Sequence, residues 1–403
     1  MADYEYVIVG GGVAAASALE GIRAHDRDAR VLAVSRENHA PYHRPPLSKG
    51  LWNGTTSFEQ LSVLPDGWYA DHGVELRLRR EVVELDLEAR RVWDDHGASL
   101  SYEKLLLATG SRPRRLEVEG AELDGIHYFR QLEDYLRLSD DQQRVDHVLV
   151  VGNGFLGLEL AAALRQAGRE VTLLFADEYP LRRVLPRDLG MRVAEFYREQ
   201  GIEAVSGETI ARFQRVGTEL VATTQNRNEV TTQLVVVDLG TQPQTDLADA
   251  AGLEVGMGIE VDDHARTTNS HVWAAGEVTE FPCVPLERIM RVEQWDHARE
   301  HGRVAGENMA GADLVYDHLP RHDGRLFDRE WSAAGDIDAS LAVHAVWREP
   351  LESGVLFYLR EDVVRGVMLW NLPANLDRAR AVICAARATS SSEREALALE
   401  ISD

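Results

Sequence analysis

A glycine loop that occurs twice constrains this chain more than any other feature, because each copy lies between a short apolar strand and a helix-forming run. The first copy is Gly10-Gly11-Gly12-Val13-Ala14-Ala15, after the apolar stretch Tyr6 to Val9 and ahead of the run Ala14 to Leu19. The second is Gly152-Asn153-Gly154-Phe155-Leu156-Gly157, after His147 to Val151 and ahead of Leu156 to Gln166. Further strands follow, Val31 to Val34 and Glu170 to Phe175, so each copy reads as a βαβ motif. The spacing is that of a dinucleotide-binding turn. Gly10 and Gly152 permit the tight turn, Gly12 and Gly154 let the backbone approach a pyrophosphate, and Ala15 and Gly157 are small enough for helix and strand to pack closely. Each helix start then offers free amides and a positive dipole end. One match is weak; two in context point to two dinucleotides. The bland reading is a pair of tight turns in doubly wound sheets without ligand.

A chain of 403 residues exceeds one ordinary core and implies two or three domains. The second motif interrupts a first domain. We expect an α/β protein with two Rossmann-like dinucleotide-binding domains, 1–120 with 244–320 and 121–243, and a small α+β C-terminal domain, 321–403. Strands are expected at Val74 to Leu78, Val82 to Leu85, Arg91 to Trp93, Leu105 to Leu107, Leu220 to Thr223, Leu234 to Val237 and Val272 to Ala275. The last region alternates strands at Ala342 to Trp347, Gly354 to Leu359 and Val363 to Leu369 with a helix at Leu376 to Arg387. Ser390 to Asp403 is polar and acidic and reads as a frayed end.

Acids outnumber bases 67 to 43, for a formal net charge of −24. A polyanion or an anionic bilayer would be repelled, so neither nucleic acid nor membrane is expected as a partner. No leader with a basic flank precedes the first strand, and no run of about 18 apolar residues could span a bilayer. A cytoplasmic protein is the expectation. Cys283 and Cys384 are the only cysteines and form no C-x-x-C, so no thiol redox centre is signalled. Both read as inert, buried small hydrophobes.

Acids after the second strand of such a motif grip a ribose 2'-hydroxyl. Asp177 and Glu178 follow Phe175, which favours NADH over NADPH, while Arg182 and Arg183 nearby work against that. The first motif ends Ser35-Arg36-Glu37, with Arg36 where an acid is expected; Glu37 either reaches the ribose or is a solvated loop charge.

Three further passages carry a family likeness: Pro41-Tyr42-His43-Arg44-Pro45-Pro46-Leu47-Ser48-Lys49, Leu105-Leu106-Leu107-Ala108-Thr109-Gly110-Ser111-Arg112-Pro113 and Val272-Trp273-Ala274-Ala275-Gly276-Glu277. The chain resembles the FAD- and NAD(P)-dependent pyridine nucleotide-disulfide oxidoreductase class, with its glutathione reductase-like fold. The branch is the one holding ferredoxin reductases of aromatic-ring dioxygenase systems and apoptosis-inducing factor. The resemblance implies FAD and NADH as cofactors. It places Arg44 and Lys49 at the flavin pyrophosphate and beside the isoalloxazine, and Ala108, Thr109, Gly110 and Arg112 in a crossover loop near the FAD, with Gly240 also among the cofactor contacts. Gly276-Glu277 resembles a Gly-Asp whose acid binds the ribityl or phosphate region; glutamate here puts the ribityl contact in question and leaves the backbone role of Val278. Glu159 resembles the acid that pairs with Lys49 near flavin N5, and the bland alternative is an ordinary ion pair. Hydride transfer needs aligned rings rather than an acid or base, so the pair would position.

Glu293, Gln294 and Trp295 fall where the resemblance puts residues against flavin or nicotinamide. Gly354 to Arg360 and Leu369-Trp370-Asn371 resemble the C-terminal domain of apoptosis-inducing factor; Trp295 and Trp370 read equally as flavin contacts or core aromatics. His297-Ala298-Arg299-Glu300-His301 fits an H-x-x-E-H zinc pattern, but no third ligand is evident and no metal is assigned.

The leading reading is an NADH:acceptor oxidoreductase working through FAD. A ferredoxin-like protein is the acceptor the resemblance implies, although an acidic partner needs clustered bases on this acidic chain. A quinone, oxygen and a small molecule stay open, as does a homodimer. The alternative is a redox-responsive interaction protein like apoptosis-inducing factor. A thiol-disulfide reductase is disfavoured, because 41–49 holds no cysteine.

Overall fold

The apolar run Tyr4–Val9 becomes strand β1, buried from Tyr6 to Val9, which is the pattern of a parallel-sheet strand rather than of a half-exposed one. The computed structural model describes residues 2–373 and 375–402, which fall into two compact units. One holds Met1–His43, Phe58–Arg112 and Gln242–Arg321; the other holds Arg44–Ser57, Pro113–Thr241 and His322–Asp403.

In the first unit, β1 leads through the glycine loop into the alanine-rich helix α1 (Val13–His25) and then β2 (Val31–Ser35). With β3 (Val74–Leu78) and β4 (Ser99–Leu107) they form a parallel array in the order β3-β2-β1-β4. The strand Val272–Ala274 joins β4 in parallel. Antiparallel strands Val82–Asp86 and Arg91–Asp94 extend the sheet from the first half of β4. Helix Trp295–Met309 crosses α1 at backbone contact. A Cβ added at Gly302 or Gly306 would lie 2.2 Å or 2.1 Å from the carbonyl oxygen of Ala14 or Ala18. Small residues on both helices thus let the α1 core close around Leu19 and Ile22.

The second unit repeats the plan with β5 (His147–Val151), α2 (Phe155–Gln166), β6 (Glu170–Phe175) and β7 (Leu234–Val237). The strand order is Ile202–Ser206, β6, β5, β7, Ile126–Tyr128, all parallel. A three-stranded antiparallel sheet supplies Ile210, Phe213, Leu220 and Ala222 to a core shared with Leu149, Val151, Val235 and Val237.

The C-terminal region is a five-stranded sheet, Arg321–Leu326, Arg329–Gly335, Val363–Trp370, Ser353–Arg360, Ala342–Glu349. Within the second unit it is tied to the helix Arg187–Glu199 by Arg192, whose Nε lies 2.7 Å from Glu352 Oε1, and Glu352 also pairs with Arg329. The mixed α/β class with parallel sheets is the one expected.

Three expectations change. The helix at Leu376 stops at Cys384, and Ala386 takes a positive φ of 46°. Residues Ser391–Ser402 are helical rather than frayed, with Arg394, Leu397, Ala398 and Ile401 buried. Cys384 is exposed, whereas Cys283 is buried as expected. No described helix is long and apolar enough to cross a membrane.

Candidate functional site

In the first unit the glycine loop is shaped by contacts a side chain would destroy. Gly10 has φ +147°, and its Cβ would lie 2.1 Å from the Ala108 carbonyl oxygen; that of Gly11 would lie 2.0 Å from Ser35 Oγ. In front of Gly12 nothing lies within 4 Å, so a ligand's backbone-hugging group can approach there. Helix α1 has no side-chain cap and no acid in its first turn. Its orphan amides suit an anionic ligand such as a pyrophosphate. Gly276, at φ +83°, sits 3.0 Å by its would-be Cβ from the Ala14 side chain, which brings Gly276-Glu277-Val278 to the start of α1.

Several expected residues of this unit are held by protein groups. Ser111 Oγ donates to Glu277 Oε2 at 2.7 Å, and Tyr42 Oη donates to Glu37 Oε2 at 2.6 Å. Arg36 is exposed and pairs with Glu81 at 3.1 Å, and Arg112 pairs with Asp246 at 2.7 Å. Ser35 is buried and its hydroxyl accepts from the Glu37 amide at 3.2 Å. Thr109 and Gly110 are braced by Gln244: Thr109 Oγ1 donates to the Gln244 carbonyl at 2.8 Å, and the Gln244 amide donates to the Gly110 carbonyl at 2.9 Å. Gln294 occupies the N-cap position of helix Trp295–Met309 and Glu293 is exposed beside Arg291. Trp295 is half-buried, 5.3 Å from the His43 ring. Burial, with Arg299 nearby, holds the His43 imidazole below its usual pKa.

The H-x-x-E-H histidines are core groups. Their rings lie 5.0 Å apart, His297 stacks on Phe281, and His297 Nδ1 lies 2.7 Å from Tyr316 Oη. Burial lowers the pKa of His297 to about 4 and drives that of His301 well down, so both are neutral.

The second unit carries the groups expected to act together. Lys49 Nζ lies 3.3 Å from Glu159 Oε1, and Ser48 Oγ donates to Glu159 Oε2 at 2.7 Å. Ser48 was not among the expected residues, although the motif Leu47-Ser48-Lys49 put it beside one. Asp323 also approaches Lys49, Oδ2 at 3.8 Å. Burial pushes the Glu159 carboxyl up, opposed by Lys49 and the Ser48 hydroxyl. Arg44 Nη1 donates to the Arg130 carbonyl at 3.0 Å. Phe155 stacks on Trp331 with ring centroids 4.0 Å apart; nothing in the sequence singled out Trp331. Its cross-strand neighbour Trp370, expected as a possible contact, is 1 % exposed in the sheet core.

The second glycine loop matches the first. Gly152, at φ +125°, abuts the Asp238 carbonyl; Gly154 is exposed; Gly157 packs against the Gly152 carbonyl with its would-be Cβ at 3.0 Å. Asp177 accepts from Asn153 Nδ2 at 3.0 Å and stands 3.7 Å from Arg182. Leu156 lies in the first turn of α2, and Gly240, φ +77°, follows β7. Both helix starts therefore fit a dinucleotide pyrophosphate.

The family described as pyridine nucleotide-disulphide oxidoreductase matches residues 4–302. The chain belongs to this family. It is accordingly an FAD-dependent oxidoreductase with NADH as the second dinucleotide. Among similar members, the ferredoxin--NAD(+) reductase component of an anthranilate 1,2-dioxygenase system from Burkholderia cepacia is 38% identical over 78% of each chain. A rubredoxin-NAD(+) reductase from Ectopseudomonas oleovorans is 30% identical over 91% of this chain and 96% of its own. The solved covalent putidaredoxin reductase-putidaredoxin complex superposes with a TM-score of 0.91 at 26% identity, covering 99% of this chain and 96% of the other. The two cysteines, Cys283 and Cys384, form no C-x-x-C motif.

Proposed function

We propose that this protein is an NADH-dependent reductase of a small ferredoxin-like electron carrier. The observation that carries the reading is the Lys49–Glu159–Ser48 cluster, built into the same unit as an intact second dinucleotide loop. Three of its relatives are named for ferredoxin, rubredoxin or putidaredoxin, which makes a carrier of that kind the first acceptor to try.

In this reading, residues 1–120 with 244–320 bind FAD, 121–243 bind NADH and 321–403 form the third domain. Gly10, Gly12 and Ala15 shape the first pyrophosphate site, supported by Gly276, Glu277 and Val278. Gly152, Gly154, Phe155, Leu156 and Gly157 shape the second, with Asp177 toward the adenosine ribose. When bound, FAD would supply the redox chemistry, hydride acceptance and one-electron release. The protein's part is alignment and electrostatics. Glu159 fixes the Lys49 ammonium as a positioned charge, and Ser48 fixes Glu159. The cytoplasm is the compartment we assign.

The test is anaerobic mixing of the yellow protein with NADH, followed by reduced-protein reaction with ferredoxins, rubredoxin, quinone and oxygen. Fast oxidation by one iron–sulfur or rubredoxin-type carrier is expected. Fast reaction with quinone or oxygen alone would overturn the acceptor assignment.

A further inference from the structure

The two dinucleotide loops are built on corresponding strand ends, each closed by a glycine and a proline, that carry different side chains at the residue abutting the first glycine. The first ends β4 with Leu105-Leu106-Leu107-Ala108-Thr109-Gly110-Ser111-Arg112-Pro113, and the second ends β7 with Val235-Val236-Val237-Asp238-Leu239-Gly240-Thr241-Gln242-Pro243. Their geometry corresponds bond for bond. The Ala108 amide donates to the Val9 carbonyl and the Asp238 amide to the Val151 carbonyl, both at 2.8 Å. The carbonyl oxygen of each blocks the first glycine of its loop, at 2.1 Å from the would-be Cβ of Gly10 and 1.8 Å from that of Gly152. Where the first loop has a methyl group, the second therefore has a carboxylate.

That carboxylate is aimed into the loop. Asp238 Oδ2 accepts from the Gly157 amide at 2.7 Å, in the first turn of α2, and lies 3.2 Å from where a Cβ on Gly154 would stand. Asp238 Oδ1 accepts from the Gly240 amide at 3.3 Å. Neither α1 nor α2 has an acid in its own first turn or a side-chain cap, so at α2 it is the end of β7 that delivers a carboxylate to a first-turn amide. The positive end of a helix holds about half a unit charge and its effect fades within a turn. A resident carboxylate consumes part of it and repels a second anion in the same place.

We propose that Asp238 sets the affinity of the second dinucleotide site: its charge weakens the hold on the pyrophosphate, so that the spent dinucleotide leaves readily. This rests on the reading that the loop takes NADH. Weak uniform binding costs affinity without slowing the chemical step. The Gly157 bond at the same time keeps the loop in shape, which is why a carboxylate is tolerated there.

The test uses the flavin-loaded protein and its Asp238→Asn variant, which keeps an acceptor for the Gly157 amide and loses the charge. Titration with ADP-ribose, which carries the pyrophosphate and lacks nicotinamide, is expected to tighten by roughly 3- to 30-fold. KM for NADH and the inhibition constant of NAD+ are expected to fall in parallel, with kcat no higher. Adenosine, which has no phosphate, is expected to bind equally to both proteins. The gap between variant and parent is expected to shrink in about 1 M salt, which screens charge and leaves loop shape alone. Asp238→Ala, which restores the side chain of position 108, is expected to tighten ADP-ribose as well. Equal or weaker ADP-ribose binding by both variants overturns the proposal while the parent still binds. Failure of the parent itself to bind ADP-ribose and NADH would overturn the NADH reading of the loop, and the proposal with it.

Discussion

Lys49 Nζ stands 3.3 Å from Glu159 Oε1, with the lysine side chain 26 % exposed and the glutamate 8 %. One lysine of only two in the chain is thus spent on a carboxylate whose pKa burial raises and Lys49 draws back. Removing it should separate positioning from cofactor retention. Lys49→Ala is expected to keep FAD and to reduce it with NADH roughly tenfold or more slowly, a loss of alignment rather than of binding. Stopped-flow reduction at saturating NADH decides this; an unchanged rate contradicts it.

The same substitution has a pH signature. Burial raises the folded-state pKa of Glu159, and Lys49 opposes the rise. A raised carboxyl costs stability above its unfolded-state pKa, near 4.3 for a glutamate, and costs nothing below it. Lys49→Ala should therefore destabilise by about 1–3 kcal/mol at neutral pH, the scale for an unsatisfied buried group. The deficit should close as pH falls through the raised folded-state range of Glu159 and be gone by the ordinary glutamate range. Urea unfolding at several pH values measures it, and a pH-independent deficit argues against an ionised Glu159.

His297 predicts the opposite limb. With its folded pKa near 4, the unfolded chain takes a proton at ordinary histidine pH while the folded chain does not. Stability contributed by neutral His297 is present above about pH 6.5 and drains away down to about pH 4, by an amount on the order of 3 kcal/mol. His297→Asn should flatten that part of the pH–stability curve relative to the parent. Parallel curves would refute a neutral, desolvated His297.

Helix packing supplies a fourth test. A side chain at Gly306 would drive a Cβ to 2.1 Å from the backbone oxygen of Ala18, which no rotamer can relieve. Gly306→Val is expected to cost about 1–3 kcal/mol or more and to loosen FAD, since α1 carries the first glycine loop. Thermal unfolding and retained flavin report both effects; a protein as stable and as yellow as the parent contradicts the close crossing.

The parallel strands and both glycine loops were legible because local chemistry decides them: apolar β-branched runs make buried strands, and only glycine fits the turns at Gly10 and Gly152. Lys49 and Glu159 could be paired only through the family resemblance, and the structure brings them together. Contacts between distant segments left no mark in the sequence, as with Trp331 on Phe155 and Ser48 on Glu159. The C-terminal helix was misread because a serine- and glutamate-rich opening hides the spacing Arg394, Leu397, Ala398, Ile401, which is a buried helical stripe. Arg36 stood where an acid is expected and pairs with Glu81 at the surface; Trp370, read equally as a flavin contact or a core aromatic, fills a sheet core.

The most direct measurement is the anaerobic flavin spectrum after mixing with NADH and then with an oxidised ferredoxin-type carrier. The account predicts rapid loss of the oxidised-flavin absorbance and its rapid return as the carrier is reduced. A purified protein without flavin, or one whose flavin NADH leaves oxidised, would contradict it.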